Sequence, residues 1–133
     1  MRVRELMQKD VKTVNLEDAV SDAIVSLSDS HISALAVVDG MGRMVGVVSS
    51  TDILTSEAEA QGPVEREALF DQMMVQDIMT RRPLTVSPEA DVKEAAQQML
   101  YADIHRLFVA SGEQVIGVIS TTDIMRAVAN GRL

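Results

Sequence analysis

The chain contains no cysteine and no tryptophan. Without thiols it has no disulfide framework, thiolate metal site or cysteine nucleophile, and no redox compartment is marked. Its aromatic residues are Phe70, Tyr101 and Phe108, 2% of the chain, so a surface for stacking nucleic-acid bases is missing. The core must instead come from Val, Ile, Leu, Ala and nine Met. Basic residues are also scarce: 12 Lys and Arg against 20 Asp and Glu give a net charge of −8, which repels a phosphodiester backbone and argues against nucleic acid as a partner. The longest apolar runs, such as "ALAVV", are strand-sized, and "MRVRELMQKD" lacks an apolar stretch of signal-peptide length. A soluble cytoplasmic protein without membrane contact is expected. What is present is ordinary globular composition, 47% hydrophobic and 24% charged over 133 residues, enough for one domain or two small units that share a core.

The dominant feature is an internal duplication. "VRELM" and "VQDIM", "TVNLEDAV" and "TVSPEADV", and "GVVSSTDIL" and "GVISTTDIM" align in order. The offset is 86 − 14 = 72 at paired valines and 123 − 52 = 71 at paired aspartates, so one residue is missing from the second hairpin turn. Hairpin tips tolerate such changes. Each half reads as strand, helix, strand, strand, helix. A strand near Thr13 and Val14 precedes Asn15, an N-cap candidate, and Ala19, Val20, Ala23, Ile24 and Leu27 recur at helical spacing. In the second half Ser87 is the cap candidate, Pro88 suits a first helical position, and Val92, Ala95, Ala96, Met99 and Leu100 form the stripe. "ALAVV" and "MVGVVS" form a hairpin across "DGMG", and "RLFVA" and "VIGVIS" one across "SGEQ". These near-continuous Val/Ile strands are of the kind buried on both faces. The expected division is residues 1–56 and 74–133 as the two repeats, with 57–73 a partly helical tether in which Val64, Ala68, Leu69 and Met73 share a face.

Ser49-x-x-Asp52 and Ser120-x-x-Asp123 fit a helix-start capping box, hydroxyl and carboxylate each satisfying a backbone N–H. The box leaves Thr51 and Thr122 unexplained. The same corner also suits a ligand: free N–H groups at a helix start and Ser/Thr hydroxyls cradle phosphate, and the acid accepts from the two hydroxyls of a ribose. Together these features suggest a ribonucleotide.

With those motifs in order, and with Gly46 and Gly117 between them, the chain resembles a tandem pair of CBS domains, the repeats first noted in cystathionine β-synthase. The resemblance implies an α/β (α+β) fold in which two repeats pack about a pseudo-twofold axis into one module. It also implies clefts that take AMP, ADP, ATP, dinucleotides or S-adenosylmethionine, association into a homodimer, and a regulatory role read by a partner protein. Carried onto this sequence, it places Asp52 and Asp123 on ribose hydroxyls, and Ser49, Thr51, Ser120 and Thr122 near phosphate. Lys12 with Thr13, and Leu84 with Thr85, fall around the base. "HRLFV" is similar to the nucleotide-binding repeats of the AMP-activated kinase gamma subunit, which gives His105 and Arg106 a phosphate role. The first half has Ser33-Ala34 there, so the second cleft is expected to be the better site, further enriched by Arg81 and Arg82. His31 has no motif around it.

Three kinds of function follow. The leading reading is a ligand-sensing module with an adenosyl nucleotide as regulatory ligand and no required cofactor. A dimerising scaffold without ligand treats both boxes as caps alone. An enzyme is disfavoured, because the sequence offers no Walker-type loop, no metal-ligand cluster and no nucleophile with an assignable base.

Overall fold

A computed structural model describes residues 1–30 and 32–133; His31 lies outside them. Strands form where the Val- and Ile-rich runs fall. β1 (Thr13–Asn15), β2 (Ala34–Val38), β3 (Met44–Ser49) and β4 (Thr80–Arg81) make one sheet in that order; β5 (Thr85–Val86), β6 (Arg106–Ser111) and β7 (Gln114–Ser120) make another. The first pair in each sheet is parallel and the hairpin pairs are antiparallel. The helices are α1 (Val20–Ser30), α2 (Ser50–Glu59), α3 (Pro63–Asp71), α4 (Val92–Ala102) and α5 (Thr121–Ala129). The fold is α+β, and the repeat holds bond by bond. In the first hairpin Val38 pairs with Met44, and in the second Ala110 pairs with Val115, which locates the missing residue in the turn.

The chain forms two compact units, Lys12–Pro83 and Met1–Val11 with Leu84–Leu133. The segment that opens each repeat therefore folds with the other repeat. Val3, in a short 3-10 turn, donates to the Ala90 carbonyl (2.9 Å) and Arg4 to that of Pro88 (3.0 Å); Val75 donates to Asp18 (2.8 Å) and Gln76 to Leu16 (2.9 Å) in the same pattern. Val3 and Val75 are both fully buried. The Val3 side chain joins Met99, Leu107 and Ile119 in one core, and Val75 joins Val20, Leu35 and Val48 in the other. Each such side chain contributes about 1.5–3 kcal/mol by leaving water.

This exchange moves both helix starts away from the positions that local sequence favours. Asn15 ends β1 and opens a turn, its side chain accepting from the Glu17 N–H; α1 begins only at Val20. Ser87 likewise accepts from the Glu89 N–H within a turn, Pro88 lies in that turn, and Asp91 caps α4 through the Lys93 N–H at 2.8 Å. The backbone carbonyls of Leu16 and Pro88, which a longer helix would need, accept instead from the incoming segment. β2 is buried over its middle three residues, but β6 alternates, with Leu107 and Val109 inside and Arg106 and Phe108 on the more open face of its unit. Along α3, Leu69 is buried while Val64 in the first turn is 80% exposed, because that turn has no neighbour to cover it. Among the described residues, no helix is long and apolar enough to cross a membrane.

Candidate functional site

Each unit assembles its own copy of one constellation. Opposed residues in a sheet share a face, so the pairings of Thr85 with Phe108, Phe108 with Val118 and Val118 with Gln8 lay those four residues in a row. Arg106 and Ser120 form the next row on that face. β7 then runs straight into α5, and Ser120 caps it. The Ser120 hydroxyl accepts from the Asp123 N–H (3.1 Å), while Asp123 Oδ2 accepts from the Ser120 N–H and hydroxyl, both at 2.9 Å. The other oxygen, Oδ1, accepts from Gln8 Nε2 at 3.1 Å and has the Arg126 guanidinium at 3.6 Å. These partners satisfy a carboxylate that is only 8% exposed.

In the first-repeat unit the row is Thr13, Ala36, Val47 and Thr80, with Ala34 and Ser49 next to it. Ser49 caps α2 in the same way: its hydroxyl accepts from the Asp52 N–H (3.1 Å), and Asp52 Oδ2 accepts from its N–H (2.9 Å) and hydroxyl (3.0 Å). Oδ1 of Asp52 meets only a long contact from the Thr80 hydroxyl, at 3.3 Å, among the described residues. The two capping boxes are thus fully formed, and they differ in what faces the outer oxygen. Glycine makes the close strand approach possible. A Cβ on Gly117 would stand 2.9 Å from the Gln8 carbonyl oxygen, and one on Gly46 2.7 Å from that of Thr80.

The expected residues fall into three groups. Ser49 with Asp52 and Ser120 with Asp123 are in hydrogen-bond contact. Thr13 and Thr85 lie two strands away from these pairs, roughly 10 Å at ordinary strand spacing. Thr51 and Thr122 are exposed at the second helical position. The supply of free helix-start amides is smaller than the sequence suggests. The Thr121 N–H donates to the His105 carbonyl and the Ser50 N–H to that of Ser33, both at 2.9 Å, and the third amide is capped. That leaves the Thr51 and Thr122 amides without partners among the described residues. His105 and Arg106 are both exposed, and neither side chain has a partner among the described residues. Arg81 and Arg82 belong to the first-repeat unit, since β4 pairs with β3; they do not enrich the second repeat. Lys12 and Leu84 are exposed beside β1 and β5. Gln8 and Thr80 were not singled out by sequence pattern. Their signal is positional: each follows its "VRELM" or "VQDIM" segment directly, at the repeat offset of 72.

Among the described residues no group of three His, Asp or Glu is placed to hold a metal. A cleft of about 390 Å³ between α2 and α3, walled by Glu59, Leu69 and Met73, contains none of the expected site residues.

Two matching units, each a strand-helix-strand-strand-helix repeat with a hydroxyl and an acid at the last corner, define a tandem-repeat module. The CBS domain pattern matches residues 3–59 and 75–130, and the chain belongs to the CBS domain family. Similar proteins include inosine-5'-monophosphate dehydrogenase of Korarchaeum cryptofilum, 32% identical over 92% of this chain but only 23% of its own length. YlbB of Bacillus subtilis is 25% identical, with 92% of this chain and 79% of that protein covered. A Methanocaldococcus jannaschii protein, MJ1404, is 27% identical over 97% of this chain, which spans about a third (32%) of that relative. Among solved structures, CBSX2 in complex with AMP superposes with a TM-score of 0.82 at 26% identity, covering 99% of this chain and 98% of that one. The CBS domain pair of MJ0100, in complex with 5'-methylthioadenosine and S-adenosyl-L-methionine, has a TM-score of 0.81 at 23% identity, with 98% of each chain covered, and shares the fold.

Proposed function

We propose that the chain is a regulatory module that binds an adenosine-containing nucleotide of the AMP, ADP or ATP kind and passes its occupancy to a partner protein. The observation that carries this reading is the outer carboxylate oxygen of Asp52. It faces outward from the first turn of α2, beside the Thr80 hydroxyl and next in sequence to Thr51, whose amide has no partner among the described residues, with acceptor capacity to spare. A ribose diol donates to such an oxygen, and the helix start beside it favours the phosphate. Thr13 and Thr85, on the same sheet faces, border the base. Arg106, next to Ser120 across β6 and β7, supplies a cation for phosphate in the second repeat, with His105 preceding it. The AMP complex of CBSX2 supports the ligand class. Signalling requires two arrangements that bind the ligand unequally.

Association into a homodimer goes with this reading. α4 and α5 of the second-repeat unit expose Leu100, Tyr101, Met125 and Val128, an apolar set of the kind interfaces cover. The alternative, a scaffold that needs no ligand, draws support from the closed capping boxes, which account for the Ser-x-x-Asp pairs by themselves.

A thermal-shift screen against AMP, ADP, ATP, S-adenosylmethionine and 5'-methylthioadenosine separates the two. A ligand at a hundred times its dissociation constant adds about 2.7 kcal/mol and raises the midpoint by several degrees. The expected outcome is a shift with at least one of them that is lost in the double variant Asp52→Asn, Asp123→Asn. No shift from any would leave the scaffold.

A further inference from the structure

Gln8 occupies the oxygen that the ribose reading requires. Its backbone exchanges two hydrogen bonds with Val118, at 2.8 and 2.9 Å, which fix where the side chain starts. Its Nε2 then donates to Asp123 Oδ1 at 3.1 Å. Only the amide nitrogen can face this oxygen, because a carboxylate accepts and the amide oxygen would be repelled. Oδ2 already accepts two hydrogen bonds from Ser120, and Arg126 stands 3.6 Å from Oδ1. With about two donors per oxygen, Oδ2 is filled, while Oδ1 keeps one acceptor position beside Gln8, because the Arg126 contact is too long for a hydrogen bond. At the same place in the first repeat stands Thr80, whose hydroxyl is 3.3 Å from Asp52 Oδ1, beyond the usual O–H···O range. A hydroxyl also accepts. Thr80 can turn to receive one hydroxyl of a vicinal diol while Asp52 receives the other, which the amide nitrogen of Gln8 cannot do.

We propose that Gln8 is a latch on Asp123 that weakens the hold of the second-repeat site on a vicinal diol, so that this site depends on an anionic tail for its affinity, while the Asp52–Thr80 site holds neutral and anionic adenosine ligands alike. The inference rests on the ribose reading above. One hydroxyl of a diol can take the position left on Oδ1, but the second finds an acceptor there only by displacing Gln8, and the exchange of one donor for another returns little. An anionic tail adds a contact to Arg106, the cross-strand neighbour of Ser120, whose guanidinium has no partner among the described residues. A neutral nucleoside adds none.

Calorimetric titration of adenosine and AMP tests this in single-site forms. Asp52→Asn retains the second-repeat site, and Asp123→Asn retains the first. In Asp52→Asn, AMP binds and adenosine binds at least roughly tenfold more weakly, the scale of one hydrogen bond to a charged group; adding Gln8→Thr strengthens both ligands by a similar factor, because both present the same diol. In Asp123→Asn the two ligands bind comparably, and adding Thr80→Gln weakens both by a similar factor. A second readout needs no variant: the Gln8 side-chain amide resonance of the unmodified protein moves when AMP binds. Affinities for both ligands that are indifferent to Gln8→Thr and Thr80→Gln, or an amide that stays still while AMP binds, overturn the latch and leave the ribose reading in place. Binding of neither ligand to any form overturns both.

Discussion

Each helix-start aspartate divides its work between its two oxygens. Oδ2 of Asp52 and of Asp123 closes the helix on which it sits, and Oδ1 faces outward to whatever the neighbouring strand presents. The cap is therefore a structural contribution separable from binding. Ser120→Ala removes the hydroxyl that accepts from the Asp123 N–H and is expected to lower stability by about 1 kcal/mol in urea denaturation. A second residue-scale expectation concerns Asp39 in the first hairpin turn. The Arg43 N–H, more than the Met41 N–H and the Arg43 guanidinium, holds its carboxyl below the ordinary 3.8 against the opposing effect of desolvation. A depressed folded pKa stabilises the turn above the unfolded value, and that contribution disappears as pH falls through the folded one. Carbon-detected titration of the side chain is expected to place its midpoint below the ordinary 3.8, and Asp39→Asn to flatten stability against pH in that acid window only. The Ser and Asp of each corner were legible in the sequence because a capping box is local, spanning four residues. Gln8 was not, because its hydrogen bond to Asp123 spans 115 positions in the chain and depends on which strand it edges.

At the scale of elements, the strands and the final helix of each repeat follow the sequence closely. β2 and β3 occupy the Val-rich runs Ala34–Val38 and Met44–Ser49, and α2 and α5 begin directly after Ser49 and Ser120. Hydrophobic runs and caps act over a few residues, so pattern reading suffices there. The first helix of each repeat starts later than Asn15 and Ser87 suggest, and the reason is tertiary: Leu16 and Pro88 give their carbonyls to the opening segment of the other repeat. Local propensity lost to a distant 3-10 turn. The two glycines facing those segments belong to the same argument. In Gly117→Ala the new methyl would lie 2.7 Å from Met7 Sδ, which a flexible side chain relieves, and 2.9 Å from the Gln8 carbonyl oxygen, which a bridged backbone cannot. Overpacking of this kind destabilises by about 1–3 kcal/mol. The expected outcome is a lower melting midpoint together with faster amide exchange at Gln8 and Val118, the two residues whose mutual bonds must lengthen. Unchanged exchange there would place the strain elsewhere.

For the molecule as a whole, the repeat that the sequence displays and the unit that folds have different boundaries. Residues 1–56 and 74–133 are the halves by pattern, while the compact units are Lys12–Pro83 and Met1–Val11 with Leu84–Leu133. Cutting at the pattern boundary therefore removes core from both pieces. A fragment of residues 1–73 lacks Val75, which is fully buried, as well as Ile78, Met79 and the edge strand β4, and keeps an opening segment whose Val3 and Leu6 have lost their own core. A fragment of residues 12–83 is only one residue shorter and retains the whole first-repeat core, with Asp52 and Thr80 still in reach of each other. Size penalises both equally, since a chain this short buries only about 60% of its surface and is marginal on that ground alone. The difference between them isolates the exchange of opening segments. Residues 12–83 are expected to melt cooperatively and to show dispersed amide resonances, and residues 1–73 to do neither. The same logic predicts that residues 84–133 gain structure when a peptide of residues 1–11 is added, because that peptide returns Val3 and Leu6 to Met99, Leu107 and Ile119. If the fragment of residues 1–73 were the better folded of the two, the buried position of Val75 would contribute little to the stability of its unit.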